Sequence, residues 1–362
     1  MSYIIDIQTS VPKYKHSQES LMNFYQNSTD DENIKRKIRM VASKAAITNR
    51  YSVLNDFSTE PENFTFFPKN KYLLPEPNIN ERMALFKEHA CTLSIEAIKK
   101  IKEFDTIKDS ITHIITVTCT GLSAPGLDIE IIRELQLNKT IQRSSINFMG
   151  CNAAILALKS AHAICNSNTD ANVLVVCTEL STIHFQKDYS DNYILSSALF
   201  GDGCAAMVVS SNKLKTSSYP AIEIKSFHST LLHDGVDEMA WHISDKGFII
   251  NLTSYVSQLI NGSIKEMLES IGVKSNEIDY WAVHPGGKKI LDDFREALDL
   301  SFDKLKQSYD VLNDFGNMSS PTVLFVLKQV IESNKAIKIG EKIFTAAFGP
   351  GLSIETMQLE YV

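Results

Sequence analysis

The sequence has no apolar run that approaches the roughly 20 residues needed by a membrane-spanning helix. Its first residues, MSYIIDIQTS, alternate like a strand and lack the basic segment and long apolar stretch of a secretory signal peptide. These two absences argue against an integral membrane protein and against a secreted one. We therefore expect a cytoplasmic protein without a membrane span.

A net positive charge is also lacking. The 362 residues carry a formal net charge of −7, so the chain lacks the basic excess by which nucleic-acid-binding proteins attract phosphate. We expect no nucleic-acid partner. The length is sufficient for a large core, and it predicts either two domains or one large domain.

The six cysteines show neither CxxC spacing nor the spacing of a disulfide framework. This excludes a disulfide-stapled scaffold and the common zinc-binding modules. Five of the six lie in apolar or strand-like surroundings, which favours free thiols in a reducing compartment.

The most informative stretch is residues 144–164, SSINFMGCNAAILALKSAHAI. Gly150 permits a sharp turn, and Cys151 is predicted to open a helix that is rich in alanine, apolar on nearly all sides and therefore buried. A cysteine in the first turn of such a helix feels the positive end of the macrodipole, which favours the nucleophilic thiolate. A free cysteine is also often just a small buried hydrophobe. This stretch alone leaves both interpretations open.

The second half of the chain repeats the first in outline. Residues 278–294 read as strand, Gly/Pro turn and helix, like residues 113–132, and residues 314–333 resemble 147–166. This pattern predicts an internal duplication, with helices sandwiched between mixed sheets. We place the boundary in the linker-like residues 211–220, which gives halves of residues 1–215 and 216–362. Residues 181–197 are polar and aromatic, which predicts a loop near a site.

Three polar residues occupy corresponding strand-to-helix turns of the two copies: Cys151, His284 and Asn317. We expect these turns to converge across a pseudo-twofold axis. The order Cys, His, Asn also occurs in papain-like proteases, where the Asn orients the His. The duplicated α/β outline and the absence of an aromatic residue after Cys151 argue against that hydrolase.

A basic cluster precedes residue 51. Between Asn33 and Arg50 the chain has no acidic residue, and its cations are Lys35, Arg36, Lys37, Arg39, Lys44 and Arg50. Such a cluster is typical of a site for a phosphate-bearing ligand. It is equally typical of a solvated helix face.

Five motifs carry a family resemblance. They are FMGC at 148–151, ALFGDGCAA at 198–206, WAVHPGGKKILD at 281–292, GNMSSPTVLFVL at 316–327 and AAFGPGLSIE at 346–355. In order and register they resemble the type III polyketide synthases, the chalcone and stilbene synthase family, from roughly residue 35 to the C-terminus. The stretch CTGLSAPGLD at 119–128 is closer to bacterial members than to plant ones.

The resemblance implies a thiolase-like α/β fold made of two α-β-α-β-α layered halves with mixed five-stranded sheets. It implies that Cys151 carries the acyl group of an acyl-CoA starter as a thioester and that His284 pairs with it. It further implies that His284 and Asn317 stabilise the enolate formed when malonyl-CoA loses carbon dioxide. Such a reaction needs neither a metal nor a redox cofactor, since CoA thioesters are its substrates. The family also implies a homodimer.

The resemblance also assigns residues around this centre. The two gatekeeping aromatics fall on Phe200 and Trp241, the latter where Phe is usual. The substrate pocket is completed by His184, Cys119, Thr120, Ser319, Gly349, Pro350 and Gly351. The CoA-binding cations fall on Lys37, Lys44 and, beside Met40 where the family has Arg, on Arg39.

Departures from the plant pattern concern specificity. His184 replaces a cavity-lining Thr, and Ala124 replaces a Met that plant enzymes insert into the partner subunit's cavity. Cys119 and Thr120 replace Thr and Ser, and Ala347 begins the loop that is usually GFGPG. Together they argue against a phenylpropanoid starter. We expect an acyl starter and a product of the alkylpyrone or resorcinol type.

Three alternatives stay open at this point. A single-round β-ketoacyl synthase acting on CoA or carrier-protein thioesters would use the same residues. A papain-like hydrolase would ignore malonyl-CoA. A catalytically inert acyl-binding protein would not need all three catalytic positions.

Overall fold

The computed structural model describes residues 1–213, 220–253, 255–333 and 337–362. The predicted boundary between residues 215 and 216 lies outside the described residues. Among the described residues, no helix combines the length and apolar character that crossing a bilayer requires.

The strands of the first half are β1 (Tyr3–Ser10), β2 (Tyr14–Ser17), β3 (Asn49–Ser52), β4 (His113–Thr118), β5 (Gln142–Asn147), β6 (Asn172–Leu180) and β7 (Asp202–Ser210). Those of the second half are β8 (Ile222–Leu231), β9 (Met239–Ile243), β10 (Phe248–Leu252), β11 (Tyr280–Val283), β12 (Lys342–Gly349) and β13 (Ser353–Tyr361).

The helices of the first half are α1 (Gln18–Asn27), α2 (Glu32–Lys44), α3 (Ile79–Ile98), α4 (Phe104–Ile107), α5 (Leu127–Leu135), α6 (Ala153–Ser167) and α7 (Asp191–Leu199). Those of the second half are α8 (Val256–Ser270), α9 (Lys288–Ala297), α10 (Lys306–Phe315) and α11 (Thr322–Ser333). Short 3₁₀ turns span Asp56–Ser58, Pro61–Asn63, Lys108–Ser110, Ser181–His184, His233–Gly235, Ser275–Glu277 and Phe302–Leu305.

The main sheet contains the same strand arrangement in each half of the chain. The order is β11-β12-β13-β8-β1-β7-β6-β4-β5. In the first half β4 and β6 are parallel, whereas β6, β7 and β1 are successively antiparallel. In the second half β11 and β12 are parallel, whereas β12, β13 and β8 are successively antiparallel. The two halves therefore share one topology, and they join where β1 pairs with β8 at Tyr3–Glu223 and Ile4–Ile222.

The prediction of five strands in each half holds for the first half only. Strand β5 has no full counterpart among the described residues of the second half. The first half contributes β1 and β4 to β7, whereas the described residues of the second half contribute β8 and β11 to β13. The segment that corresponds to β5 forms only an isolated bridge between Asn317 and Phe200. That bridge lies in the candidate site.

The hydrophobic residues form layers because successive strand residues face opposite sides of the sheet. Val173 and Val175 of β6 pack in a core with α6 and α11, whereas Leu174 and Val176 pack in a second core with α3. A third core joins β12 to α8 and α9. The central helices α6 and α11 thus lie between strands of both halves, as the layered prediction requires.

Two local predictions need correction. Helix α6 begins at Ala153 with Asn152 as its N-cap, so Cys151 lies in the turn just before the helix and does not open it. Residues 181–197 are not one loop, since they contain a 3₁₀ turn and helix α7 from Asp191 to Leu199. Apolar residues at helical spacing (Ile194, Ala198) are buried and hold α7 in place.

Candidate active site

Cys151, His284 and Asn317 line a single cavity. Cys151 comes from the turn between β5 and α6, His284 follows β11 directly, and Asn317 precedes α11. The cavity and its mouth together hold ≈ 500 Å³ of free space. The structure therefore brings together the three residues that the matching turns predict.

Gly150 and Pro350 fix the turn that carries Cys151. Gly150 has φ +85°, and a Cβ at this position would lie 2.0 Å from Pro350 Cδ. Only glycine meets both the backbone and the steric requirement. The backbone N–H of Gly150 donates to Cys119 Sγ at 3.0 Å, which ties this turn to the end of β4.

Backbone hydrogen bonds fix His284 and Asn317. The N–H of His284 donates to Ala346 O at 2.8 Å. The N–H of Asn317 donates to Leu199 O at 2.9 Å, and Asn317 O accepts from Gly201 N–H at 2.9 Å. This second pair couples Asn317 to Phe200, so a catalytic candidate and a gatekeeper candidate share one bridge.

The side chains of the three candidates present complementary groups. Asn317 Oδ1 accepts from the Ser319 N–H at 2.8 Å, and its Nδ2 donates to Gly286 O at 3.3 Å. The acceptor of the amide is thus used internally, and the remaining hydrogen-bonding capacity of Nδ2 is directed to Cys151 and the cavity. Both ring nitrogens of His284 are buried without a hydrogen-bond partner in the described structure. The site can therefore donate hydrogen bonds to an oxygen placed between His284 and Asn317.

The resting site disfavours charge. Burial raises the pKa of the Cys151 thiol to about 11, against the hydrogen bonds from Ser319 and Asn317, which favour the thiolate. Burial lowers the pKa of His284 to about 3. The helix macrodipole and a pairing with His284 predict a thiolate, but the desolvation of Cys151 dominates. The thiol of Cys151 and the imidazole of His284 are therefore both neutral in this cavity.

Phe200 and Trp241 stand at the edge of the cavity as a pair. Their ring centroids are 6.3 Å apart at an interplanar angle of 78°, an edge-to-face contact. Trp241 also lies 6.3 Å from the ring of Phe148, which holds φ +61° in the turn before Cys151. The positions predicted for gatekeepers thus line the cavity.

Only some of the remaining pocket candidates line the catalytic cavity. Cys119, Ser319 and Pro350 line the catalytic cavity. Thr120 is not among its described lining residues, because its hydroxyl is buried against Glu179 and the Leu180 N–H. His184 lines a neighbouring cavity instead.

Gly349 and Gly351 flank Pro350 and are likewise not among the described lining residues. A Cβ at Gly349 would lie 2.5 Å from the Asn152 side chain, whereas Gly351 has open space around it. Gly349 is therefore required for packing beside the helix N-cap, not for contact with the cavity.

The predicted CoA-binding cations lie on α2, outside both cavities. Lys37 forms an ion pair with Asp191 at the start of α7, and Arg39 donates to Gln26 at 2.8 Å. Lys44 is exposed at the end of α2. Arg50 does not belong to this surface, since it is 2% exposed and donates to the carbonyl oxygens of Ser197 and Phe200, both at 2.7 Å.

Glu179 is a site residue that the sequence analysis did not identify. It is fully buried, and its carboxylate accepts from Ser320 Oγ at 2.6 Å, Cys119 N at 2.8 Å and Thr120 Oγ1 at 2.8 Å. It connects the ends of β4 and β6 to the turn that carries Asn317. The available signal was a lone acidic residue at the end of the apolar strand VLVVCTEL.

The chain is similar to known proteins along almost its whole length. Residues 1–213 match the N-terminal domain of chalcone and stilbene synthases, and residues 223–362 match the C-terminal domain. The "alpha-pyrone synthesis polyketide synthase-like Pks18" of Mycobacterium tuberculosis is 34% identical over 343 residues, which cover 92% of this chain and 84% of that protein.

Solved structures match over the whole chain. PKS-I from the brown alga Ectocarpus siliculosus gives a TM-score of 0.92 at 27% identity and covers 100% of this chain and 98% of its own. CsyB complexed with CoA-SH gives a TM-score of 0.88 at 25% identity and covers 100% of both chains. These matches confirm the predicted thiolase-like fold.

Proposed function

Since the chain belongs to the chalcone and stilbene synthase family, the type III polyketide synthases, we propose that Cys151 is its acyl carrier. In our proposal an acyl-CoA starter is loaded on Cys151 and extended with malonyl-CoA by decarboxylative condensation. Membership of this family makes the protein an acyltransferase. The papain-like hydrolase and the inert acyl-binding protein are therefore not proposed.

The loading step uses His284 as a base. His284 accepts the proton of Cys151, and the thiolate attacks the thioester carbonyl of the starter. The carbon–sulfur bond to CoA breaks, and the CoA thiolate takes the proton from the imidazolium. The products are acyl-Cys151, free CoA and a neutral His284. Because both side chains rest neutral, loading begins with the removal of the Cys151 proton.

The condensation step uses His284 and Asn317 as hydrogen-bond donors. Malonyl-CoA loses carbon dioxide, and the electron pair of the broken bond forms an enolate with its charge on the thioester oxygen. N–H groups of His284 and Asn317 stabilise that oxygen, and a neutral amide suits the role because a carboxylate would repel it. The enolate carbon attacks acyl-Cys151 and expels the Cys151 thiolate, which leaves a β-ketoacyl-CoA that is two carbons longer.

One observation carries this proposal. Residues from two halves of a duplicated fold line one cavity, and the imidazole there is buried with both nitrogens unpartnered. A buried polar ring without partners is costly unless a ligand supplies them. No step needs a metal or a redox cofactor, because thioester exchange and decarboxylation proceed through carbonyl chemistry alone.

The product we propose is a small pyrone or resorcinol formed by cyclisation after several extensions. The relative at 34% identity bears an alpha-pyrone synthesis name, and it supports a pyrone. Apolar side chains such as Met239, Leu252 and Phe348 line much of the catalytic cavity, which suits the carbon chain of a short polyketide. A single-round β-ketoacyl synthase would release a product with only one added two-carbon unit.

We propose that α2 receives the CoA phosphates through Lys37, Arg39 and Lys44. The ion pair of Lys37 with Asp191 joins α2 to α7, and α7 runs directly into Phe200 at the cavity. A phosphate would compete with Asp191 for Lys37. This gives CoA a path from a basic surface to the catalytic cavity.

We also propose a cytoplasmic homodimer. All six cysteines are free thiols, which supports a reducing compartment. Strand β5 is the edge of the sheet and is exposed along almost its whole length, and Met149 beside it is 48% exposed. An exposed edge next to an apolar side chain is a pairing surface for a second copy.

The test combines a panel of acyl-CoA starters with ¹³C-labelled malonyl-CoA and mass spectrometry of the products. The proposal predicts products heavier by several two-carbon units for the unmodified enzyme. Cys151→Ala should make no polyketide but should keep some malonyl-CoA decarboxylation. His284→Ala and Asn317→Ala should each lower decarboxylation by about 100-fold.

Cys165→Ala is the matched control, since Cys165 is a buried thiol at the other end of α6, and it should keep polyketide synthesis. Polyketide formation by Cys151→Ala would refute the acyl-carrier assignment. A product with only one added unit would establish the single-round synthase instead.

A further inference from the structure

A second cavity, here called the side chamber, adjoins the catalytic cavity. Phe200, Trp241 and Ile250 line both, so these three side chains are the partition between them. The side chamber and its mouth hold ≈ 480 Å³ of free space, and Arg50 and Ser181 lie on its wall. It is comparable in size to the catalytic cavity.

Several residues that line the side chamber carry buried hydrogen-bond donors without partners in the described structure. They are Nε and Nη2 of Arg50, Oγ of Ser181 and Nε1 of Trp241. Arg50 is 2% exposed and Ser181 is 8% exposed. Unsatisfied buried donors are rare, and each costs on the order of 1–3 kcal/mol. Their grouping around one cavity indicates a site for acceptor oxygens.

Arg50 forms no ion pair with a described residue, although Asp202 attracts its charge from beyond ion-pair distance. Burial lowers the pKa of Arg50 to about 9, so the guanidinium is charged at neutral pH. Among the described residues that line the side chamber, none is Asp or Glu. Asp202 lies nearby, but its carboxylate accepts from Thr182 N, Thr182 Oγ1 and Val53 N and forms no ion pair with Arg50.

Another part of the side-chamber wall is aromatic, and its polar atoms already have hydrogen-bond partners. His184 Nε2 donates to Thr120 O at 2.8 Å and its Nδ1 accepts from the Phe248 N–H at 3.4 Å, so the ring is neutral. The His184 and Phe248 rings stack at 4.2 Å and 10°. Tyr193 donates to His184 O at 2.9 Å. This wall offers apolar faces and no free polar group to a ligand.

We propose that the side chamber binds the distal end of the starter acyl group and selects an end that carries acceptor oxygens, a carbonyl or a carboxylate, over a plain hydrocarbon. This inference rests on the proposed function and specifies its starter class. The growing chain is attached at Cys151, and each extension inserts two carbons next to the sulfur. The original end of the starter therefore moves away from Cys151, past the partition of Phe200 and Trp241.

The test compares acyl-CoA starters of equal length that differ only at the distal end. The six-carbon set is hexanoyl-CoA, 5-oxohexanoyl-CoA and adipoyl-CoA, and eight- and ten-carbon sets extend the reach. At the best length, the oxo or carboxy starter should exceed the plain starter at least tenfold in kcat/KM. Preference for the carboxy over the oxo arm would identify an ion pair with Arg50 as the main contact.

Variants locate the effect. Ser181→Ala and Trp241→Phe each remove one donor, and each should reduce the oxygenated-to-plain ratio at least threefold. Arg50→Lys should reduce it further, although Arg50 also holds the carbonyls of Ser197 and Phe200. The controls are Thr345→Val and Trp281→Phe, which remove equally buried, unpartnered donors elsewhere, and they should leave the ratio unchanged.

A binding measurement separates this inference from the proposed function. Calorimetric Kd values of the same CoA esters are measured with Cys151→Ala, which cannot turn them over. The oxygenated ester should bind at least fivefold more tightly than the plain one. Equal Kd values and a kcat/KM ratio within twofold of one at every length would overturn the inference, since the donors would then be served by water alone. Failure of every starter to give a malonyl-dependent product would instead refute the proposed function.

Discussion

At the scale of single residues, the resting state of Cys151 decides how the reaction starts. Its pKa of about 11 means that the thiolate fraction is small at pH 7 and grows about tenfold per pH unit up to that value. We therefore predict that inactivation by iodoacetamide accelerates about tenfold per pH unit between pH 7 and pH 9. The readout is the rate of loss of polyketide synthesis, with the alkylated peptide identified by mass spectrometry.

His284→Gln is the control for this profile, because a neutral imidazole contributes no charge to the resting thiol, and the slope should persist. A rate that already levels off near pH 7 would contradict the account. It would show that Cys151 and His284 rest as a thiolate–imidazolium pair, as the macrodipole argument from the sequence alone predicts.

The turn before Cys151 does not tolerate a Cβ atom at Gly150. Gly150→Ala would place a Cβ 2.0 Å from Pro350 Cδ at φ +85°, so the turn that carries Cys151 must move. We predict a loss of activity of about 100-fold and a loss of about 1–2 kcal/mol in the free energy of unfolding. Steady-state kinetics and urea unfolding provide the two numbers.

Gly340→Ala is matched to this variant. Gly340 has φ +92°, but a Cβ there meets nothing within 4 Å. It should therefore lose similar stability and keep its activity. Equal kcat/KM for the two variants would mean that contact between Gly150 and Pro350 does not position Cys151.

At the scale of elements, Glu179 connects strands β4 and β6 to the turn before α11. The Glu179 carboxylate accepts hydrogen bonds from Ser320 Oγ and Cys119 N, among others. In Glu179→Gln an amide N–H₂ group would replace one carboxylate oxygen, so a donor would face a donor. We predict a loss of about 1–3 kcal/mol in the free energy of unfolding together with a lower kcat, because Ser319 and Asn317 belong to the same turn. Denaturant titration and single-turnover kinetics measure both.

Glu355→Gln is the comparison for that variant. Glu355 is also buried but accepts from Ser229 on β8, outside the site, so kcat should be unaffected. A Glu179→Gln enzyme with unchanged kcat and unchanged stability would show that these elements are held by apolar packing alone.

Elements also show where sequence patterns suffice. The continuous apolar runs of β6 and β7 and the alanine-rich run of α6 predict buried strands and a buried helix, and the structure has them. Helix α7 was mistaken for a loop because its polar and aromatic residues conceal the spacing of Ile194 and Ala198. The start of α6 differs by two residues because the turn at Gly150 continues through Asn152.

At the scale of the whole molecule, duplication explains how distant residues meet. Cys151, His284 and Asn317 could be predicted because each occupies the same kind of turn in a repeated unit. The roles of Arg50 and His184 could not be predicted. In the sequence Arg50 belongs to a cluster of cations that is typical of a surface. In the folded chain its side chain packs against Gly201 and Gly316 and is buried. His184 depends on stacking with Phe248, which is 64 residues away.

The assembly gives a prediction at this scale. Met149→Asp should convert the proposed dimer to a monomer, because it places a charge beside the exposed edge strand β5. Met40→Asp is the control, since Met40 is 53% exposed on α2 and should leave the dimer intact. Sedimentation velocity measures both, and a wild-type enzyme that sediments as a monomer would refute the proposed dimer.

The most direct measurement is the mass of the peptide that contains Cys151 after incubation with acyl-CoA alone and then with malonyl-CoA. The account predicts that the acyl mass appears on Cys151 in the first step and leaves it in the second, as polyketide forms. Polyketide formation with no acyl group on Cys151, or with the acyl group on Cys119, would contradict it.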